Sequence, residues 1–127
     1  MKIAIACDHG GIEYKESLKK FLIEQGHEVE DFGCHDKTSC DYPDHAKPAA
    51  RSVAEGRNER GIVICSTGIG VSIAANKVPG VRCALVSDVM CARLTREHNN
   101  TNVLAMGQFV IGEHLMKEIV TVWLNTP

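Results

Sequence analysis

A three-layer, Rossmann-like α/β sandwich with five parallel strands is the fold class that this chain of 127 residues predicts. Three observations predict it. Short apolar runs of strand type alternate five times with stretches of helical periodicity. The third run is continuously apolar, as a strand buried between two helix layers must be. Glycine-bearing turns follow directly on the first and third runs, at Gly10-Gly11 and at Gly68 and Gly70. Right-handed crossovers leave doubly wound strand orders, and the expected order is 2-1-3-4-5. The chain reads as one domain over residues 1–127, with no linker, repeat or low-complexity segment.

Each element has its own signal. Lys2–Cys7 is a short apolar strand closed by Asp8-His9-Gly10-Gly11. Residues 12–25 carry Tyr14, Leu18, Phe21 and Leu22 at helical spacing, with Lys and Glu opposite, and Gly26 is placed as the stop. Residues 28–32 read as the second strand, and polar residues 34–43 as a loop. Residues 44–56 form a helix whose Ala46, Ala49, Ala50, Val53 and Ala54 make a small-residue packing face; Pro48 sits near its start, where proline is tolerated. The third strand is 62–65 and its helix 69–77, ending before Pro79-Gly80. Strand 82–86, helix 88–98, strand 103–106 and helix 112–124 complete the chain, the last with Leu115, Ile119, Val122 and Trp123 on one stripe. In this topology ligands sit beyond the strand C-termini where the strand order reverses, between the first and third strands. Loops 8–11 and 65–70 then face each other across one crevice.

Composition narrows the function. Fourteen basic and 16 acidic side chains nearly balance, and there is no basic stripe or aromatic ladder, so nucleic acid is not an expected partner. No signal peptide and no run of about 20 apolar residues is present, which points to a cytoplasmic protein with no membrane association. The six cysteines lie mostly inside elements, without the framework of a secreted mini-protein, and predict reduced thiols. Cys34, His35, Cys40 and His45 match no compact zinc spacing, so no metal site is expected. Cys7, Cys34, Cys40, Cys83 and Cys91 read as small packing residues, and His27, His35, His45 and His114 as solvated surface groups.

The segment Gly-Ile-Val-Ile-Cys-Ser-Thr-Gly-Ile-Gly-Val at 61–71 carries the chemistry. A buried strand ends at Cys65, and a small-residue turn then opens a helix. Such a turn presents several backbone N–H groups at a helix N-terminus and favours bound negative charge. A thiol placed there is expected to ionise more readily than a free cysteine. Three generic phosphate chemistries fail on residues. A P-loop needs Gly-Lys-Ser/Thr, but Val71 follows Gly70. A dinucleotide fingerprint is absent after the first strand, and no arginine closes the loop after Cys65 as a thiol-phosphate cradle requires. What remains is a cysteine base and an N–H-rich turn, with Asp8 and His9 opposite. This set suits proton abstraction beside a carbonyl, where preorganised donors hold the enediolate oxygen. It needs no cofactor.

The chain resembles the ribose/galactose isomerase family along essentially its whole length. The matching pieces are Cys7-Asp8-His9, Asp41-Tyr42-Pro43, Ile64-Cys65-Ser66-Thr67-Gly68-Ile69-Gly70, Ser72-Ile73-Ala74-Ala75-Asn76-Lys77, Arg96-Glu97-His98-Asn99, Val103-Leu104 and Trp123-Leu124-Asn125. The resemblance implies an aldose–ketose isomerase of the non-oxidative pentose phosphate pathway. Its substrate is a small sugar phosphate: ribose 5-phosphate and ribulose 5-phosphate interconvert through an enediolate. It also implies a homodimer, or a tetramer, with the site shared between subunits. Within it, Cys65 matches the base that moves the C2 proton to C1. Ser66, Thr67, Gly68, Ile69 and Gly70 match the anion hole. His98 matches the acid that assists ring opening, with Asp8 nearby. Asn99 and Tyr42 match sugar-hydroxyl contacts, and His9 a group near the phosphate.

Position adds a separate point. His98 ends the fourth helix, which puts it at the N-terminal edge of its own sheet, far from Cys65. If both act on one substrate, His98 comes from a neighbouring subunit. There are departures from the family pattern. Ser66 stands where a glycine is common, and Phe109 where many members have a phosphate-contacting arginine. Members usually continue past the position of Pro127 with a Gly-Gly-Arg-His-like tail that serves the phosphate, and that tail is expected to be missing here. Two other readings stay open: an isomerase of a six-carbon sugar 6-phosphate, of galactose or allose type, and a non-catalytic phosphate-binding module.

Overall fold

The computed structural model describes residues 1–35 and 43–127. In chain order its elements are β1 (Lys2–Cys7), α1 (Ile12–Glu24), β2 (Glu28–Asp31), α2 (Pro43–Ala54), β3 (Arg60–Cys65), α3 (Ile69–Asn76), β4 (Cys83–Leu85), α4 (Val89–Asn99), β5 (Val103–Gly107) and α5 (Glu113–Asn125). The strands form one parallel sheet in the order β2-β1-β3-β5-β4. The fold class is the expected one, but the last two strands are exchanged relative to 2-1-3-4-5. The reason is burial. Every residue of β5 is buried, whereas β4 has three residues, none buried, and belongs at an edge. Because the chain steps back from β4 to β5, a right-handed crossover carries α4 to the face of α1 and α5. Ala92 of α4 accordingly joins their core.

Period-two alternation along the strands builds two unlike cores. Ile3, Ile5, Ile62, Ile64, Leu104 and Met106 face α1, α4 and α5, where Leu18, Leu22, Met116, Ile119 and Trp123 meet them. Burying each such large side chain contributes about 1.5–3 kcal/mol. Ala4, Ala6, Val63, Cys65, Val103 and Ala105 face the other way, against Ala46, Ala49 and Ala50 of α2 and Val71, Ala74 and Ala75 of α3. Small residues on both sides of this layer let α2 and α3 lie close on the sheet. Cys65 belongs to this second core, and it lies at the end of β3 where the sheet meets the loops.

Local chemistry sets the ends of the helices. Gly26, at φ +90°, ends α1 as expected: its N–H donates to Ile23 O at 3.0 Å and the His27 N–H to Leu22 O at 3.1 Å. Asp88 caps α4 by accepting the Cys91 N–H at 2.7 Å. The indole N–H of Trp123 donates to Thr101 Oγ1 at 3.1 Å, and Arg60 lies 5.1 Å over the ring. Asn76 at the end of α3 closes the open side of β4. Its side chain donates to Cys83 O at 2.9 Å and accepts the Cys83 N–H at 2.8 Å, as a neighbouring strand would.

Several expectations change. Lys15, placed on the polar side of α1, is fully buried. Its Nζ donates to both oxygens of Asp31, at 3.0 and 2.8 Å. Cys34 is disulfide-bonded, against the expectation of reduced thiols, while Cys7, Cys65, Cys83 and Cys91 are free. His45 is half-buried, with Nδ1 3.0 Å from Phe32 O, and is not a solvated group. His27 pairs with the N-terminal amine at 3.1 Å. Pro43 opens α2, and the rest of the expected loop beyond His35 lies outside the described residues. Among the described residues no helix is long and apolar enough to cross a membrane.

Candidate active site

Three loops at the C-terminal edge of the sheet are locked together by their backbones. The turn after β3 is held on one side by the loop after β5. Gln108 N–H donates to Cys65 O at 2.9 Å and Phe109 N–H to Ser66 O at 3.0 Å. On the other side the loop after β1 is tied to β3 through Asp8 N–H and Ile64 O, at 3.2 Å. Glycines allow the approach. A Cβ at Gly107 would lie 2.5 Å from the Thr67 carbonyl carbon, and one at Gly11 would lie 2.6 Å from Ile64 O. Loops 8–11 and 65–70 therefore converge as the topology predicts. The exchange of β4 and β5 makes loop 107–111 their neighbour instead of the loop after β4.

The turn itself needs Gly68. Its φ of +84° is left-handed, and a Cβ there would sit 2.4 Å from Leu85 Cδ1 and 2.8 Å from the Met106 carbonyl carbon. This conformation aims the Gly68 N–H at Cys65 Sγ, at 3.1 Å. Ile69 N–H donates to Thr67 Oγ1 at 3.2 Å, and α3 starts there. The first-turn N–H groups of a helix have no intrahelical acceptor and present partial positive charge. Cys65 itself is 5 % exposed. The Cys65 sulfur thus accepts a backbone hydrogen bond at the start of the turn that opens α3.

Across the crevice, Asp8 is half-buried and its Oδ1 accepts the Gly10 N–H at 2.8 Å, which fixes the carboxylate within its own turn. His9 is exposed beside it. The structure thus brings together Asp8, His9, Cys65, Ser66, Thr67, Gly68, Ile69 and Gly70. It does not bring His98 and Asn99 to them. Both are exposed at the last turn of α4, at the opposite edge of the sheet, where Asn99 O accepts from Arg82 Nε at 2.6 Å. The five residues of β5 separate the two edges by about 16 Å. Tyr42 lies outside the described residues.

Sequence reasoning missed two supporting groups. Gln108 accepts the Tyr14 N–H at 3.0 Å through Oε1 and donates to the Glu13 carboxylate through Nε2, so it ties the β5 loop to the start of α1. Its only sequence signal is its place directly after β5. The second is the Lys15–Asp31 pair, which anchors the end of β2. Burial pushes the Asp31 carboxyl up, but hydrogen bonds from Lys15, the Gly33 N–H and Lys19 outweigh it and hold it below the usual range. Glu16, Asp31 and His35 bring ligand atoms near one another. Lys15 Nζ, however, contacts Glu16 at 3.1 Å and Asp31 at 2.8 Å and already supplies the positive charge there. Cys7 and Cys83 are pushed up to about 12 by burial, in keeping with packing roles.

A turn that opens a helix at the C-terminal edge of a doubly wound sheet, with the Cys65 sulfur beneath it, stands where ligands of such sheets bind. The chain matches the Ribose/Galactose Isomerase family over residues 3–127 and belongs to it. It is 47% identical over 124 residues to ribose-5-phosphate isomerase B of Escherichia coli (strain K12), covering 98% of this chain and 83% of that one. It is 42% identical over 125 residues to galactose-6-phosphate isomerase subunit LacB of Clostridium acetobutylicum, covering 98% and 72%. Ribose-5-phosphate isomerase B of Clostridium thermocellum superimposes with a TM-score of 0.98 at 50% identity, over 99% of this chain and 85% of that one. The chain is therefore a sugar-phosphate isomerase, and the non-catalytic module is set aside.

Proposed function

We propose that the chain interconverts D-ribose 5-phosphate and D-ribulose 5-phosphate in the non-oxidative pentose phosphate pathway, in the cytoplasm. The single observation that carries the chemistry is the seat of the Cys65 sulfur under the turn that opens α3, facing the Asp8 loop. In this reading the sulfur takes the C2 proton of the open-chain aldose. The C1 carbonyl oxygen becomes the enediolate oxygen, held by N–H groups of residues 66–70. The sulfur then returns the proton at C1, while the C2 hydroxyl proton passes to the C1 oxygen, which becomes the C1 hydroxyl, and the C2 carbonyl forms. Electrons balance within the substrate, so no cofactor is consumed. Thr67 lines the turn, His9 lies near the phosphate, and Tyr42 contacts a sugar hydroxyl.

His98 and Asn99 enter from a second copy. Their distance from Cys65 within one chain supports a homodimer with a shared site. So does the apolar surface beside the turn, where Ile69, Ile73, Leu85 and Phe109 are all exposed. The likeness to a galactose-6-phosphate isomerase subunit favours a second reading, a six-carbon substrate in the same site. Phe109, exposed in the loop after β5, stands where many members have a phosphate-contacting arginine, so the phosphate contacts are a part in which this chain departs from the family pattern.

A coupled assay with ribose 5-phosphate and galactose 6-phosphate, in the presence of a chelator, tests both readings. Turnover of the pentose, unaffected by chelator and abolished by thiol alkylation or His98→Asn, is the expected result. A preference for the hexose selects the second reading. Full activity of a dissociated monomer refutes the shared site.

A further inference from the structure

We infer that Ser66 is a positioning residue that holds the Asp8 carboxylate in place relative to the Cys65 sulfur. The inference rests on the reading that Cys65 and Asp8 serve one sugar phosphate. Ser66 follows the base directly and is half-buried, with its side chain turned to the β1 loop. A Cβ built on Gly10 would lie 2.2 Å from Ser66 Oγ, 3.2 Å from Ser66 N and 3.3 Å from Asp8 Oδ1. The Ser66 hydroxyl therefore fills the notch that Gly10 leaves, and the Asp8 carboxylate stands on the rim of that notch.

The contact continues to Asp8 through one hydrogen bond. Gly10 N–H donates to Asp8 Oδ1 at 2.8 Å, so a shift of Gly10 moves the donor that orients the carboxylate. Ser66 is a firm base for this contact. Its carbonyl is held by Phe109 N–H at 3.0 Å, and its neighbour Thr67 packs on Gly107. With glycine at position 66 the notch empties and the loop has room to settle toward the turn. A positioning error of this kind lowers turnover more than it lowers binding.

The notch can be refilled from the other side. Gly10 is not in the left-handed region, so its backbone accepts alanine, and the methyl of Gly10→Ala would occupy the space of the Ser66 hydroxyl. The test compares Ser66→Gly, Gly10→Ala and the double variant, reading kcat, KM and melting temperature with the wild type's best sugar phosphate. Each single change is expected to lower kcat about tenfold, with KM within about twofold. The double variant is expected to recover kcat to within about threefold of wild type, because the methyl replaces the lost hydroxyl. A double variant no better than the worse single one overturns the inference. So does a Ser66→Gly change that moves only the melting temperature. Wild-type protein inactive on every sugar phosphate overturns the isomerase reading itself, and the inference with it.

Discussion

Cys7 and Cys65 close adjacent parallel strands, each is followed by a glycine-containing turn and a helix, and their environments are opposite. The register sets them apart. Cys7 pairs with Ile64, so Cys65 lies one residue further along and on the other face of the sheet. Cys7 falls in the Ile-rich core, where its thiol donates to Cys34 O at 3.4 Å and burial pushes it up to about 12. Cys65 falls in the Ala-rich core, and its sulfur accepts from Gly68 N–H. One sulfur donates its hydrogen bond, and the other accepts one. A single residue of offset along a strand thus separates a packing cysteine from a candidate base.

The largest expected effect is on turnover. Cys65→Ala should lower kcat about 10³-fold in the coupled isomerase assay. Cys7→Ala should leave kcat within about twofold and lower stability only. Equal losses for the two would end the distinction drawn between them.

Next comes the ion pair beside Cys7. Asp31→Asn strands the buried Lys15 ammonium and should destabilise by about 3 kcal/mol in urea unfolding. Because the folded carboxyl is held below its ordinary value, its contribution is fully present above the unfolded pKa of about 3.9. That contribution fades as pH falls through the folded value. The stability gap between wild type and Asp31→Asn should therefore close on acidification, and a gap independent of pH between 3 and 6 would falsify this assignment.

A smaller effect separates two left-handed glycines. Gly68→Ala meets both backbone strain and the Leu85 and Met106 contacts, and should destabilise by about 2 kcal/mol while lowering kcat, since it displaces the N–H on Cys65. Gly26→Ala has open space around it and should lose only about 1 kcal/mol, with kcat untouched. Thermal melts and kinetics on the same pair of variants check both halves.

What could be read from the sequence was whatever is local. The turn at 65–70 is contiguous, so its glycines and its place between a strand and a helix were visible. The continuous apolar character of β1, β3 and β5 was visible for the same reason. The exchange of β4 and β5 was not, because segments 82–86 and 103–106 are both short and apolar, and only the finished sheet shows which one is covered. Lys15 looked solvated because its partner, Asp31, is brought to it by the pairing of β1 with β2. Ser66 against Gly10 and Gln108 against Glu13 join loops far apart in the chain, and no pattern within either loop announces them. His98 was placed correctly at the far edge by topology alone.

The side-chain amide of Asn76 occupies the hydrogen-bonding positions that a sixth strand would claim on β4. Lateral growth of the sheet stops at that point. A second copy approaching the start of β4 meets a side-chain amide already seated on the Cys83 backbone groups instead of an open ladder.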